Sequence, residues 1–207
     1  MTNKALNGGI TKKNLDQAYV QLIDVVSSEA FLSNQGLNNE VPFHICPFQP
    51  AAQGEVTQIV RQLVNYLNDA GKRVLELNLY DLVIEILKKE GDWEWLLDNE
   101  ATMSRDELQD ELQGVLDVEN VITPAMVERM DSAEFDVMFV TGVGEVFPYI
   151  RSHNILNNLQ KCAKEKPTLL FFPGQYQHSL DEGAKLVLFD KLPDGYYRAF
   201  NILDRAI

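Results

Sequence analysis

Apolar positions along this chain follow two rhythms that alternate. From Thr11 to about Leu32, residues Leu15, Ala18, Tyr19, Leu22, Ile23 and Val26 recur at helical spacing, and the polar cluster Ser33 to Asn39 ends the run. That pattern predicts one amphipathic helix. Val41 to Cys46 is a short apolar run bounded by prolines, which predicts a strand. Val56, Ile59, Val60, Leu63, Val64 and Leu67 then keep to one helical face until Gly71 stops it. A second strand is predicted at Val74 to Leu77, with the helical face Leu82, Val83, Ile86 and Leu87 directly behind it. The result is a β-α-β-α unit.

Helices alone follow. Ser104 and Glu107 form a capping box ahead of Leu108, Leu112, Val115 and Leu116, and Thr123-Pro124 marks a helix start carrying Met126, Val127 and Met130. Residues 91–133 therefore read as a helical insertion. Alternation resumes with a strand over Asp136 to Thr141, a helix from about Tyr149 to Cys162, and a strand over Thr168 to Phe172. Lys185 to Phe189 and Tyr196 to Leu203 read as shorter strands. Strands apolar on consecutive residues, separated by amphipathic helices, predict a single α/β domain over residues 1–207: a mostly parallel sheet with helices on both faces.

Charge changes the picture because it is local. The net charge is −13, and between Glu85 and Asp136 stand 16 acidic and 4 basic residues, so 12 of the 13 excess negative charges fall there. Such a surface repels a phosphate backbone, which argues against direct DNA or RNA binding. The acid reads either as a solvated helix face or as a docking face for a basic partner. No apolar run approaches the roughly 20 residues of a membrane span. The first 13 residues lack the apolar core of a secretory signal, so the expected location is the cytoplasm. Cys46 and Cys162, far apart and without C-x-x-C spacing, read as reduced core thiols.

In a sheet of this kind ligands gather at the carboxyl ends of the strands, which singles out Pro47 to Glu55, Gly142 to Pro148, and Pro173 to Leu180. The first loop stands where a phosphate loop would be. It carries two prolines and Glu55, and no G-x-x-x-x-G-K-[ST] occurs in the chain. The second is a G-x-G turn, Gly142-Val143-Gly144, which serves either a tight turn or the approach of backbone to a nucleotide or other anion. Arg151 and His153 follow it; Arg151 suits carboxylate or phosphate pairing, or an internal salt bridge. His44 and Cys46 alternate on one strand face, which makes half a zinc site if His153, His178 or Cys162 converges, and otherwise core packing. No G-x-S-x-G elbow or Cys–His signature is present, so no catalytic residue, metal or cofactor is assigned.

Three ordered motifs carry a resemblance. They are Thr141-Gly142-Val143-Gly144-Glu145-Val146-Phe147-Pro148 with Arg151-Ser152-His153-Asn154 behind it, then Leu170-Phe171-Phe172-Pro173-Gly174-Gln175-Tyr176, then Tyr196-Tyr197-Arg198-Ala199-Phe200. Together they resemble the BrxB family of bacterial BREX phage-resistance systems, although Gln175 stands where an acidic residue is common and 181–185 looks inserted. The resemblance implies a non-enzymatic accessory subunit acting through protein–protein contacts with other BREX proteins, a PglZ-type phosphatase-like protein foremost. It also implies a fold similar to a nucleotide-hydrolase core that lacks its phosphate loop. Gly142, Gly144, Arg151, Tyr176, Tyr197 and Arg198 are the candidate recognition residues, Tyr and Arg being the types that dominate binding hot spots. The alternative is a nucleotide- or anion-binding regulatory protein that uses the Gly142–Gly144 turn.

Overall fold

A computed structural model describes residues 6, 9–33, 42–163, 165–179, 183–197 and 199–204, with the side chains of 178–179, 183–184 and 194–197 left outside the description. Five strands pair in parallel in the order β2 (Val74–Asn78), β3 (Val137–Thr141), β4 (Thr168–Ser179), β1 (Phe43–Phe48), β7 (Phe200–Asn201). Their side chains alternate between two cores, as the pleat requires. Val137, Phe139, Leu169, Phe171, Cys46 and Phe48 enter one core, and Met138, Val140, Leu170, Phe172, Phe43 and Ile45 enter the other. Helices cover both faces. The first core is closed by α1 (Leu15–Val26), α2 (Glu29–Leu32) and α3 (Gln53–Asp69). The second is closed by α4 (Leu79–Glu90), α5 (Asp92–Asn99), α6 (Arg105–Val115), α7 (Thr123–Ser132) and α8 (Ser152–Cys162). The acidic helices thus bury Leu96, Leu112 and Met126 against the same sheet face as α8.

Several elements differ from expectation for readable reasons. The single helix predicted over Thr11 to Leu32 is two, α1 and α2. Ser27 and Ser28 turn their hydroxyls onto the carbonyls of Ile23 and Val25, and Ser28 caps the second helix by accepting from the Phe31 amide at 3.2 Å. Serine competes for backbone partners in this way, and here it re-aims the chain so that Phe31 is buried. Strand β1 runs on through Pro47 and Phe48, which had read as loop. The Pro47 carbonyl faces Ile10, accepting its amide at 2.9 Å, so the donor that proline lacks falls on that side and not toward β4. The helix predicted from about Tyr149 begins at Ser152.

The third candidate loop is itself a correction. Pro173 to Ser179 is the second half of a twelve-residue strand, β4, which leaves the parallel sheet and pairs antiparallel with β5 (Gly183–Leu188). β5 then pairs with β6 (Leu192–Tyr197). Leu180, the last residue of that predicted loop, lies outside the described residues. A further correction concerns the thiols: Cys46 is buried and burial pushes its pKa up, whereas Cys162 is exposed at the end of α8.

The edge strand β2 is tied to β3 at its start by Arg73. Its amide donates to Asp136 Oδ2 at 2.8 Å, and its guanidinium spans Asp136 and Glu134. These bonds hold the Asp136 carboxyl down at about 2, below its ordinary 3.8. A depressed folded-state pKa contributes stability above the unfolded value and loses it as pH falls toward the folded one. Asp136→Asn should therefore flatten the acid limb of a Tm-against-pH profile between about pH 4 and 2. In the interior, Phe139 is fully buried and meets Phe171 edge-on at 5.6 Å. Phe139→Ala should cost about 3–5 kcal/mol by urea denaturation.

Candidate functional site

The N-terminal segment sits on the first loop, across the carboxyl end of β1. Ile10 bridges Phe48, its carbonyl accepts the Gln49 amide at 2.8 Å, and Gly9 lies so close that a Cβ would come within 2.7 Å of the Pro47 carbonyl oxygen. The Ala52 amide is used by the Gln49 carbonyl. Backbone groups that a phosphate cradle would offer are thus spent on the chain itself. At the start of α3, Glu55 pairs with Lys12 at 2.9 Å, and that contact together with its backbone hydrogen bond lowers its pKa.

The second loop turns against α4. Asn78 ends β2 and caps α4, its Oδ1 accepting the Tyr80 amide at 2.9 Å and the Asp81 amide at 3.3 Å. Gly142 (φ +77°) presses onto that cap: a Cβ there would stand 2.6 Å from Asn78 Oδ1 and 3.0 Å from the amides of Leu79 and Tyr80. The helix terminus where an anion would rest already holds a side-chain oxygen and a glycine. Gly144 meets a different wall, with Pro173 at 2.9 Å and the Phe189 ring at 3.0 Å from where its Cβ would be.

Phe189 is the residue that sequence reasoning missed. It and Asp190 turn β5 into β6 with φ of 51° and 61°. A bulky side chain rarely adopts such a conformation, and the strain persists because the surroundings over-determine it. The Phe189 ring meets Phe147 edge-on at 5.8 Å, and its amide donates to the Pro173 carbonyl at 2.8 Å. No local pattern in the sequence marks this, since the restraint comes from two other loops. Arg151 completes the stack with its guanidinium 5.3 Å above the Phe147 ring, where a salt bridge had been the internal alternative.

Tyr176 stands on the antiparallel half of β4. Its hydroxyl donates to the Ala199 carbonyl at 3.0 Å, and burial together with the Asp204 carboxylate pushes the phenol pKa up. Gly142, Gly144, Arg151 and Tyr176 are thereby brought to one end of the sheet, around the joint that Gly144, Phe147, Pro173 and Phe189 form. The backbone of Tyr197 belongs to β6, and its side chain and all of Arg198 lie outside the described residues.

Among the described residues, a cavity of about 300 Å³ opens at the carboxyl ends of the strands, between α3 and the tips of β2 and β3, with Gly142, Val143 and Pro173 in its lining. Its charged lining is Arg61 against Glu76, Asp81 and Glu145. Burial pushes the Glu76 carboxyl up while Arg61 works in the opposite direction. His44 packs between the rings of Phe31 (5.0 Å) and Phe200 (6.4 Å). Among the described residues, no group of three or more His, Cys, Asp or Glu is placed to hold a metal ion, and no helix is long and apolar enough to cross a membrane.

Comparison with known proteins gives a consistent result. The family model described as "BREX protein BrxB" matches residues 75–202. A BREX protein BrxB of Bacillus cereus (strain H3081.97) is 31% identical over 202 residues, covering 93% of this chain and 100% of the relative. A second, of Escherichia coli O9:H4 (strain HS), is 27% identical over 190 residues, covering 91% of this chain and 92% of that one. No solved structure matches.

If Gly142 is held by packing, Gly142→Ala should destabilise the protein by about 1–3 kcal/mol in urea melts, because it adds both a forbidden φ and a clash with the α4 cap. Gly114, in α6 with open space around it, is the contrast. Gly114→Ala should stabilise by about 0.4–1 kcal/mol.

Proposed function

The chain belongs to the BrxB family of BREX proteins, and from that premise we propose that it is a non-enzymatic accessory subunit of a bacterial BREX phage-defence system. It acts in the cytoplasm through protein–protein contacts with other BREX proteins, a PglZ-type phosphatase-like protein being the foremost partner. One observation supports the non-enzymatic part of this reading: the chain itself occupies much of the edge where an α/β sheet keeps its ligands. The N-terminal segment covers the first, Gly142 seals the second against the α4 cap, and the third is a strand. The remaining cavity sets three carboxylates against one arginine, the opposite of what a nucleotide phosphate needs. The mostly parallel sheet, with no phosphate-loop motif in the chain, supports reading the fold as similar to a nucleotide-hydrolase core without its phosphate loop.

Two measurements test this. Titration of ATP and GTP into the protein should produce no binding heat and no shift in Tm; saturable binding abolished by Arg61→Ala would favour the nucleotide-sensing alternative. The tagged chain, recovered from a host carrying its complete BREX gene cluster, should bring a PglZ-type protein with it. Recovery of a different BREX protein would keep the accessory role and change the neighbour, and recovery of none would end it.

A further inference from the structure

Between α4, α5 and α6, beside the Gly142–Pro148 loop, lies an apolar groove of about 160 Å³. Tyr80 and Val83 form one wall, Trp93 and Leu96 the other, with Leu112 and Val146 among the remaining lining residues. Its surroundings are charged one way. Glu100 and Glu145 line it, and residues 92–117 hold nine carboxylates and a single basic residue, Arg105.

The acid is not consumed internally. The ion pairs among the described residues are Lys12–Glu55, Arg73 with Glu134 and Asp136, Arg129–Glu85 and Lys161–Glu119, and none involves a residue of 92–117. Glu107 and Asp117 serve as caps to α6 and to the π-turn Val118–Ile122; the other carboxylates of the segment face solvent or its margin. Lys88, one of two lysines in the last turn of α4 with Lys89, is held over the Trp93 ring at 5.3 Å. Tyr80, in the groove wall, is 44% exposed, and α5, which supplies Trp93 and Leu96, also carries Trp95 and Leu97 at 45% and 49% exposed. An apolar groove ringed by unpaired like charge is unfavourable alone and complementary to one kind of occupant.

We infer that this groove docks a basic amphipathic segment of a partner protein, an apolar anchor side chain entering between Tyr80 and Trp93 while flanking Lys or Arg side chains meet Glu100 and Glu145. The inference rests on the accessory-subunit reading and names the surface through which that role is exercised. Nucleic acid is excluded as occupant by the same carboxylates, and a second copy of this chain would bring acid against acid.

The test uses the full-length tagged chain co-expressed with the other BREX proteins of its host, with captured proteins identified by mass spectrometry at about 0.15 M salt. Glu100→Lys combined with Glu145→Lys should lower recovery of the BREX partner at least tenfold, and Tyr80→Ser should lower it several-fold. Val20→Ser and Tyr66→Ser, exposed apolar positions on α1 and α3, should leave it unchanged. Unchanged Tm values confirm that the variants fold. Carbodiimide, which joins carboxylates directly to lysines, should link residues of 92–117 or Glu145 to lysines that flank apolar residues in the partner. If wild type recovers a partner and the groove variants recover it equally, or the cross-links map elsewhere, the groove is overturned and the accessory role stands. If wild type recovers no BREX protein, the accessory role itself fails.

Discussion

One strand belongs to two sheets, and the molecule is organised around the place where it passes between them. At Thr168 to Pro173 β4 is the central parallel strand, flanked by β3 and β1; from Gly174 onward it pairs with β5 in the opposite sense. The crossing point admits no side chain, since a Cβ on Gly174 would stand 2.1 Å from the Val187 carbonyl oxygen. That constraint brings β5 and its turn back over the carboxyl edge of the parallel sheet, where Phe189 is pressed against Gly144 and Phe147. A βαβ architecture ordinarily leaves this edge open for a ligand. Here backbone hydrogen bonding and aromatic packing occupy part of it, and the G-x-G turn is packed against those contacts.

The parallel core was legible because burial on both faces leaves consecutive apolar residues, a signal that survives in β1, β3 and the first half of β4. The second half of β4 was hidden by the same rule. Pro173 and Gly174 punctuate the run as a turn would, and Gln175, Gln177 and His178 give it the polarity of a loop. Pro47 misled for a related reason: a proline breaks a strand only where its missing donor faces a neighbouring strand, and which side it faces is a tertiary fact. The serine pair at 27–28 could have been read as a break, since both hydroxyls compete with helical carbonyls, yet the apolar spacing continued across it.

The candidate residues divide along the same line. Gly142, Gly144 and Tyr176 were found as members of ordered motifs, and their chemistry is that of close packing and one hydrogen bond to a carbonyl. Arg151, read as a candidate for carboxylate or phosphate pairing or for an internal salt bridge, is stacked on Phe147. Phe189 carried no signal, because a residue's left-handed conformation is dictated by what confines its ring. The motif glycines Gly142, Gly144 and Gly174 therefore stand where a side chain would meet neighbouring atoms.

The acidic helices follow a different logic. Each spends its apolar stripe on the sheet, so the α4–α7 segment is held by burial of Leu87, Leu96, Leu112, Leu116 and Met126 and not by its charges. Hydrophobic burial of that extent, of order 1.5–3 kcal/mol for each such side chain, is large enough to tolerate the repulsion among surface carboxylates screened by salt. The fold thus does not need its charge, and a chain free to place Lys beside Glu on exposed helix turns would have gained a few tenths of a kcal/mol for each pair. That no such pair stands in 92–117 among the described residues, while Arg129–Glu85 and Lys161–Glu119 serve the flanking elements, makes this acid a feature of the surface that stability alone does not account for.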